Sequence, residues 1–467
     1  MTMMTRTTFL AGVAAAAVAG TGMAAVPASG AGTDPLSPAR LHRHVREVCA
    51  FGPRWTGYPA ERRASHWVAA RLRAAGLRTE VDRYGFRKWQ LSRWRVDLRA
   101  DGGLQPIATF PLWSSHGGEG EAPLVDVGFG SDPELALHDL RGKAVVVTGK
   151  ALLNVFSTYR DVYAHAAARG AVAMFVTSDA PDNLIRPTSS SANQLDKNPI
   201  PAFNLGATDL ARLRRAARAG SRIRWRLDAR HVDGHTHDVT AVLPGSGAES
   251  GALMIAAHVD SWFTGALDNA TGTAGLIGLA EHFARVPRAK RPKDMYFVSV
   301  TGHDTGFPFG GLQHWVRTHS RLMSRLDAFV NLDHLAAHHE EHLSTGGIID
   351  MLGLSIQTPL DQERALFTTA HPTLAAIWTP ALLRHRLAPV VPGPTIPAFT
   401  PNPDLEGIMG DHGVPSSSLT MATPHYHTIE DTPDRIPPEQ LSRAVRCHAD
   451  VLAGMQSVPG SLLRLGV

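Results

Sequence analysis

Residues 253–272 read Leu253-Met254-Ile255-Ala256-Ala257-His258-Val259-Asp260-Ser261-Trp262-Phe263-Thr264-Gly265-Ala266-Leu267-Asp268-Asn269-Ala270-Thr271-Gly272. Five apolar residues followed by polar turn chemistry predict an interior strand of a parallel sheet. Such sheets place their chemistry just outside the carboxyl ends of their strands. His258 and Asp268 stand at that place. Imidazole and carboxylate are donors that suit zinc, and a carboxylate with two oxygens can bridge two metal ions.

Working outward, two later strand-like runs end the same way. Met295-Tyr296-Phe297-Val298-Ser299-Val300 leads into Thr301-Gly302-His303-Asp304-Thr305-Gly306, and Ala328-Phe329-Val330-Asn331-Leu332 leads into Asp333-His334. Farther on, Thr423-Pro424-His425-Tyr426-His427-Thr428 precedes Ile429-Glu430-Asp431-Thr432, on a loop that prolines interrupt. A lone His or Asp after a strand is usually a turn former or helix cap. Four such motifs in order, three of them at strand ends, favour a metal site, and the set resembles a two-zinc centre.

These motifs carry a family resemblance: the chain resembles the co-catalytic zinc aminopeptidases, the secreted exopeptidases that include bacterial leucyl aminopeptidases and relatives of glutamate carboxypeptidase. The family's His-x-Asp-Ser and Gly-x-x-Asp-Asn pattern is met by His258, Asp260, Ser261, Gly265, Asp268, Asn269 and Gly272. Its Tyr-His-Thr and Asp-Thr pattern is met by Tyr426, His427, Thr428, Asp431 and Thr432. The resemblance implies His258 and Asp333 on one zinc, His427 on the other, and Asp268 bridging both. Asp260 would steady the His258 ring, and Tyr426 would stabilise an oxyanion.

The middle motif departs from the pattern. Most members have Glu-Glu there, the first as general base and the second as a zinc ligand, whereas this chain has His303-Asp304. Asp304 remains a zinc ligand with a stem one methylene shorter. His303 takes the base position, and an imidazole with a reference pKa of about 6.5 can accept a proton near neutrality. The bland reading of His303 is a strand-end histidine bonded to a neighbouring carboxylate. Because adjacent strand residues face opposite ways, only one of Asp333 and His334 should reach the metal; Asp333 is expected to, with His334 competing if the strand ends one residue later. His425, His338, His339 and His342 read as solvated residues, and Asp404 or Glu406 as weak candidates for binding a substrate amine.

At 467 residues with 43% hydrophobic content, the chain is long enough for two lobes with buried cores. The formal charge of +4 is modest. Its main basic stretch holds Arg222-Ile223-Arg224-Trp225-Arg226-Leu227, whose strict alternation predicts a half-exposed strand and not a nucleic-acid surface. Residues 1–30 have a positive start, a short apolar middle and small residues near Ala28, the pattern of an export signal. No later segment approaches the roughly 18 apolar residues of a membrane span. Export would permit a bridge between Cys49 and Cys447, the only cysteines; two buried free thiols are the other reading.

The expected architecture is α/β, a mostly parallel mixed sheet flanked by helices, as in zinc exopeptidases. Residues 35–91 would begin the catalytic domain and 234–467 complete it. Helices are predicted over Pro38 to Val48, Glu61 to Gly76, Thr271 to Arg285 and Glu439 to Met455. Between them, 92–233 reads as short strands around one helix, Val162 to Arg169, resembling a smaller, β-rich protease-associated insert that covers the cleft. The implied activity is a secreted exopeptidase acting on peptides. A single-zinc amide-processing relative and a non-catalytic binding protein that lost its Glu base are the alternatives. Oligomeric state is not legible.

Overall fold

The strand predicted from Leu253–Ala257 spans Ala252–His258, and all of its residues are buried. In this computed structural model the described residues are 34–464, apart from 101, 149–157, 178–179, 181–182, 188–199, 307–310, 338–363, 369–371, 389, 393–411, 422 and 424. Among the described residues, fourteen strands form one sheet. In chain order they are β1 (Arg78–Ala100), β2 (Gly103–Pro106), β3 (Phe110–Pro111), β4 (Gly118–Asp126), β5 (Ala144–Thr148), β6 (Ala173–Thr177) and β7 (Ala202–Leu205), followed by β8 (Arg222–Leu243), β9 (Ala252–His258), β10 (Asp294–Val300), β11 (Leu326–Asn331), β12 (Ala365–Thr368), β13 (Val391–Pro392) and β14 (Ser416–Thr420).

Strands β14, β11, β9 and β10 run parallel in that spatial order, with β8 antiparallel beyond β10 and β12 antiparallel beyond β14. The chain leaves β9 for β10 on one side and then crosses to β11 on the other. Strand order therefore reverses at β9, and a crevice opens outside the carboxyl ends at such a switch point. Burial on both faces explains the unbroken apolar run. Leu253, Ile255 and Ala257 join the core built with the helices Pro38–Cys49, Pro59–Ala74, Thr271–Ala284 and Pro438–Ser457. Met254 and Ala256 join a second core containing Leu312 and Trp315 of the helix Gly311–Thr318. The helix Thr271–Ala284 is buried nearly all round, which small residues permit. A Cβ on Gly272 would lie 2.2 Å from the Leu332 carbonyl oxygen, so no other residue fits.

Strands β1 and β8 pair antiparallel from Arg78↔Val242 to Arg99↔Arg222, a two-stranded ribbon that leads from this sheet into the second lobe. The boundaries read at 91/92 and 233/234 fall inside the ribbon, because a continuous ladder carries no turn signal where it passes between lobes. In β8, Ile223, Trp225 and Leu227 are buried and the alternating arginines exposed, as the sequence predicts. Arg222 and Arg224 pair with Glu121, and Arg226 with Glu119 and Asp228. The lobe is less β-rich than expected. Strands β4, β5, β6 and β7 are parallel, and the described helices include Asp132–Ala136 and Ala207–Arg218 besides Thr158–Ala168. Leu210, Leu213 and Ala216 form the buried stripe of Ala207–Arg218, a helix hidden in the sequence by its arginines.

Cys49 and Cys447 are buried free thiols, each with its pKa pushed up to about 12, chiefly by burial. No described helix is long and apolar enough to cross a membrane.

Candidate metal centre

The loop after β9 is set by a residue distant in sequence. Arg54 is fully buried and donates to the carbonyls of Val259 (2.7 Å), Thr264 (2.8 Å) and Gly265 (3.0 Å). Gly265 takes a left-handed φ of +57°, where a Cβ would lie 2.3 Å from the Asp268 carbonyl oxygen. The buried Asp431 carboxylate then accepts the N–H groups of Leu267 (2.7 Å) and Asp268 (3.1 Å). Burial and the neighbouring Asp268 charge push the pKa of Asp431 up to about 7, although those two amides act the other way. Arg54→Met is expected to lower stability by about 3 kcal/mol, read as a shift of the denaturant midpoint, because buried carbonyls lose a charged donor. Arg54→Lys should recover little of it, since one ammonium cannot span three carbonyls.

Asp260 organises the loop after β10. Its carboxylate accepts the backbone N–H groups of Gly302 (3.0 Å), His303 (3.2 Å), Asp304 (2.9 Å) and Thr305 (3.2 Å), and the Thr56 hydroxyl (3.1 Å). Burial opposes its ionisation, but His258, His303 and the Thr305 amide prevail and hold its pKa below the usual value. The His258 Nδ1 lies 3.1 Å from the Asp260 carbonyl oxygen, leaving Nε2 aimed into the crevice.

There the side chains meet. His258 Nε2 is 3.2 Å from Asp268 Oδ1 and 3.3 Å from Asp333 Oδ1. His427 Nε2 is 2.8 Å from Asp268 Oδ2 and 3.3 Å from Asp304 Oδ1. His334 Nε2 is 3.2 Å from Asp268 Oδ1 and 3.5 Å from Asp333 Oδ1. His258 with Asp268 and Asp304, Asp268 with Asp333 and His334, and His258 with His303 and Asp333 each bring ligand atoms within 4.8 Å of one another.

The donor set fits cations. His258 Nε2, Asp268 Oδ1, Asp304 Oδ2, Asp333 Oδ1 and His427 Nε2 are buried yet have no properly aligned hydrogen-bond partner, close as the atoms lie. Buried polar atoms are ordinarily satisfied, so five orphans converging on one crevice are what metal-ligating atoms look like. The charges agree. Burial resists the Asp268 anion, but His334, His258 and His427 outweigh it and hold the carboxyl well below its usual range. Burial disfavours the His334 imidazolium, but Asp333 and Asp268 push its pKa up to about 9. The acids demand positive charge, which imidazolium protons or bound cations can supply.

His303 is half-buried, its ring 4.4 Å from that of His258 and tilted by 36°. Tyr426 stacks on His427 at 3.7 Å. Burial and the acids Asp268, Asp304 and Asp333 push the Tyr426 pKa far above its ordinary value, so its phenol keeps its proton. The second lobe touches both site loops. Trp113 donates to the Thr305 carbonyl at 2.9 Å, and Arg186 Nε donates to that of Tyr426 at 3.0 Å.

All eight residues singled out from the sequence, His258, Asp260, Asp268, His303, Asp304, Asp333, Tyr426 and His427, lie at the end of β9 or on these converging loops. The strand-alternation argument against His334 does not hold. Strand β11 ends at Asn331, and His334 takes φ +51°, which turns its imidazole toward the carboxylates Asp333 also approaches. His425 is buried rather than solvated, and its carbonyl accepts the Thr428 amide and hydroxyl. His338, His339, His342, Asp404 and Glu406 lie outside the described residues. Sequence reasoning missed the work of Arg54 and Asp431, although Asp431 sits in a phrase that carried the resemblance.

Residues 238–452 match the sequence profile of peptidase family M28. The fold is similar to that of BSAP, a zinc aminopeptidase from Bacillus subtilis, at 18% identity and TM-score 0.67 over 90% of this chain and 95% of that one. A peptidase M28 precursor from Shewanella amazonensis gives 19% identity and TM-score 0.69 over 90% and 94%. An aminopeptidase from Aneurinibacillus sp. strain AM-1 gives 18% and 0.63 over 90% and 95%. None of the curated proteins matches the sequence.

Proposed function

Since residues 238–452 match the profile of peptidase family M28, we propose that this protein is an exported zinc-dependent exopeptidase of the aminopeptidase type, hydrolysing peptide or related amide bonds. The observation that carries the reading is the set of five orphaned donor atoms in one crevice. His258 and Asp333 would hold one zinc, His427 and Asp304 a second, and the two oxygens of Asp268 would serve both. When bound, such a pair of ions polarises a substrate carbonyl and makes a water acidic near neutrality.

The chain's own groups supply the rest. His303 takes the proton of the attacking water and passes it to the leaving amine. The protonated Tyr426 keeps an O–H to donate, which suits it to a developing oxyanion. Asp260 sets the places of His303 and Asp304 through their amides. The lobe between the β1 and β8 ribbon strands would act as a protease-associated cover that limits access, and residues 1–30 as the export signal.

One observation favours a second reading, a binding protein without turnover. Where relatives of this type are expected to carry a glutamate base, the loop held by Asp260 presents an imidazole. Assays on aminoacyl chromogenic substrates with zinc quantified decide between the two. His303→Ala is expected to lower kcat by about 10²- to 10⁴-fold with zinc content unchanged, and His303→Glu to retain or raise turnover. Indifference to both substitutions removes the base assignment, and zinc-loaded protein without turnover favours the binding protein.

A further inference from the structure

Two imidazoles, not one, face the oxygens of Asp268 Oδ1 and Asp333 Oδ1. The four separations are 3.2 and 3.3 Å to His258 Nε2 and 3.2 and 3.5 Å to His334 Nε2. Zinc bonds to nitrogen and oxygen near 2.0–2.1 Å, which places neighbouring donors of a tetrahedron about 3.3–3.4 Å apart. The other half of the crevice has fewer donors. Among the described residues, His427 Nε2 meets Asp268 Oδ2 and Asp304 Oδ1, and the ring stacked on it is Tyr426.

His334 does not reach this position through loose chain. It is buried, and its carbonyl accepts the Met421 amide at 3.1 Å. The next residue, Leu335, donates its amide to the Thr271 hydroxyl at 3.1 Å. Tyr426 meets the ring edge-on at 4.9 Å. The left-handed backbone at φ +51° is unfavourable for a residue with a Cβ and persists only where surroundings enforce it. That conformation turns consecutive side chains, Asp333 and His334, toward one point. His303 shares a 4.8 Å group with His258 and Asp333 and is the competing candidate for this place.

We propose that His334 is a fourth protein ligand of the first metal position, which is therefore closed by His258, His334, Asp268 and Asp333. The second position, with His427, Asp304 and Asp268, keeps the vacancy for water and substrate. Structural zinc sites take four protein ligands, whereas catalytic ones take three and leave one place open. The two ions are then unequal, the first held tightly and the second exchangeable. This inference rests on the proposed zinc function but concerns one residue that function does not require.

The test titrates the metal-free full chain with Zn²⁺ and, separately, Co²⁺, whose visible absorption is strongest when four-coordinate. Wild type is expected to bind two equivalents in sequence. His334→Gly, which relieves the backbone conformation while removing the imidazole, should weaken the first equivalent at least about 100-fold, the upper range seen when a group that merely orients a ligand is lost. The Co²⁺ band of the first equivalent should change, the second equivalent should shift less than about threefold, and added imidazole should restore both band and affinity. His334→Asn, which also tolerates left-handed backbone, repeats the measurement with a folded chain should the glycine variant not fold. An unchanged first equivalent and spectrum in a folded variant overturns the assignment. So does a first equivalent that depends on His303→Ala and not on His334. Wild type that binds no metal overturns the zinc function itself, a distinct result.

Discussion

Asp268→Asn is expected to strip both metal positions and to lower kcat/KM about 10³-fold or more, with the fold intact. Asp268 is the residue both halves of the crevice share, since Oδ1 faces His258 and His334 and Oδ2 faces His427. An amide keeps the shape but loses the charge, and whichever way it lies, its NH₂ group is turned toward imidazole nitrogens that need an acceptor or a cation. Metal stabilisation of developing charge is worth several kcal/mol, and each 1.36 kcal/mol is a factor of ten in rate. The backbone should hold its course because Asp431 grips the Leu267 and Asp268 amides regardless of the side chain. Zinc per chain, circular dichroism and turnover are the measurements. Wild type should also lose thermal stability on chelation, by about 2.7 kcal/mol if zinc had stood at a hundred times its Kd, while Asp268→Asn should not respond. A variant that retains two zinc ions per chain would refute the shared-carboxylate arrangement.

The sequence reveals the strands far better than the connections that make the site. The run from Leu253 to Ala257 is legible because burial on both faces demands apolar residues throughout, and the acids and imidazoles after β9, β10 and β11 are legible because they recur at the same place. The choice between Asp333 and His334 is not legible from alternation, which describes a strand, because the strand has already ended. Arg54 carries no local signal. A buried arginine that binds carbonyls looks, in sequence, like any surface arginine after a turn, and only its partners 205 and 210 residues away reveal it. Asp431 gave half a signal, its motif position, without the amides it holds. The ribbon is hidden in the opposite way. Its 23- and 22-residue strands cross between lobes with no change of texture, so a composition boundary had nothing to find.

Asp260 should prove as consequential as a metal ligand without being one. In Asp260→Ala, four amides from Gly302 to Thr305 and the Thr56 hydroxyl lose their acceptor inside the protein. A buried donor left unmade costs about 1–3 kcal/mol, and neighbouring losses do not simply add because the loop relaxes as a unit. A drop of about 4 kcal/mol in apparent unfolding free energy is the expected net effect. Thr56→Val, which removes one hydroxyl but keeps the carboxylate, should cost under about 1.5 kcal/mol. The functional signature is sharper than the stability loss. The amides that Asp260 holds belong to His303 and Asp304, so releasing the loop displaces the proposed base and a proposed ligand together. Once Asp260 is gone, His303→Ala should therefore cost almost nothing further in kcat, and the double-variant cycle should be strongly non-additive. Full additivity of the two substitutions would mean that His303 acts independently of the carboxylate beneath it, and the loop-organising role would fall.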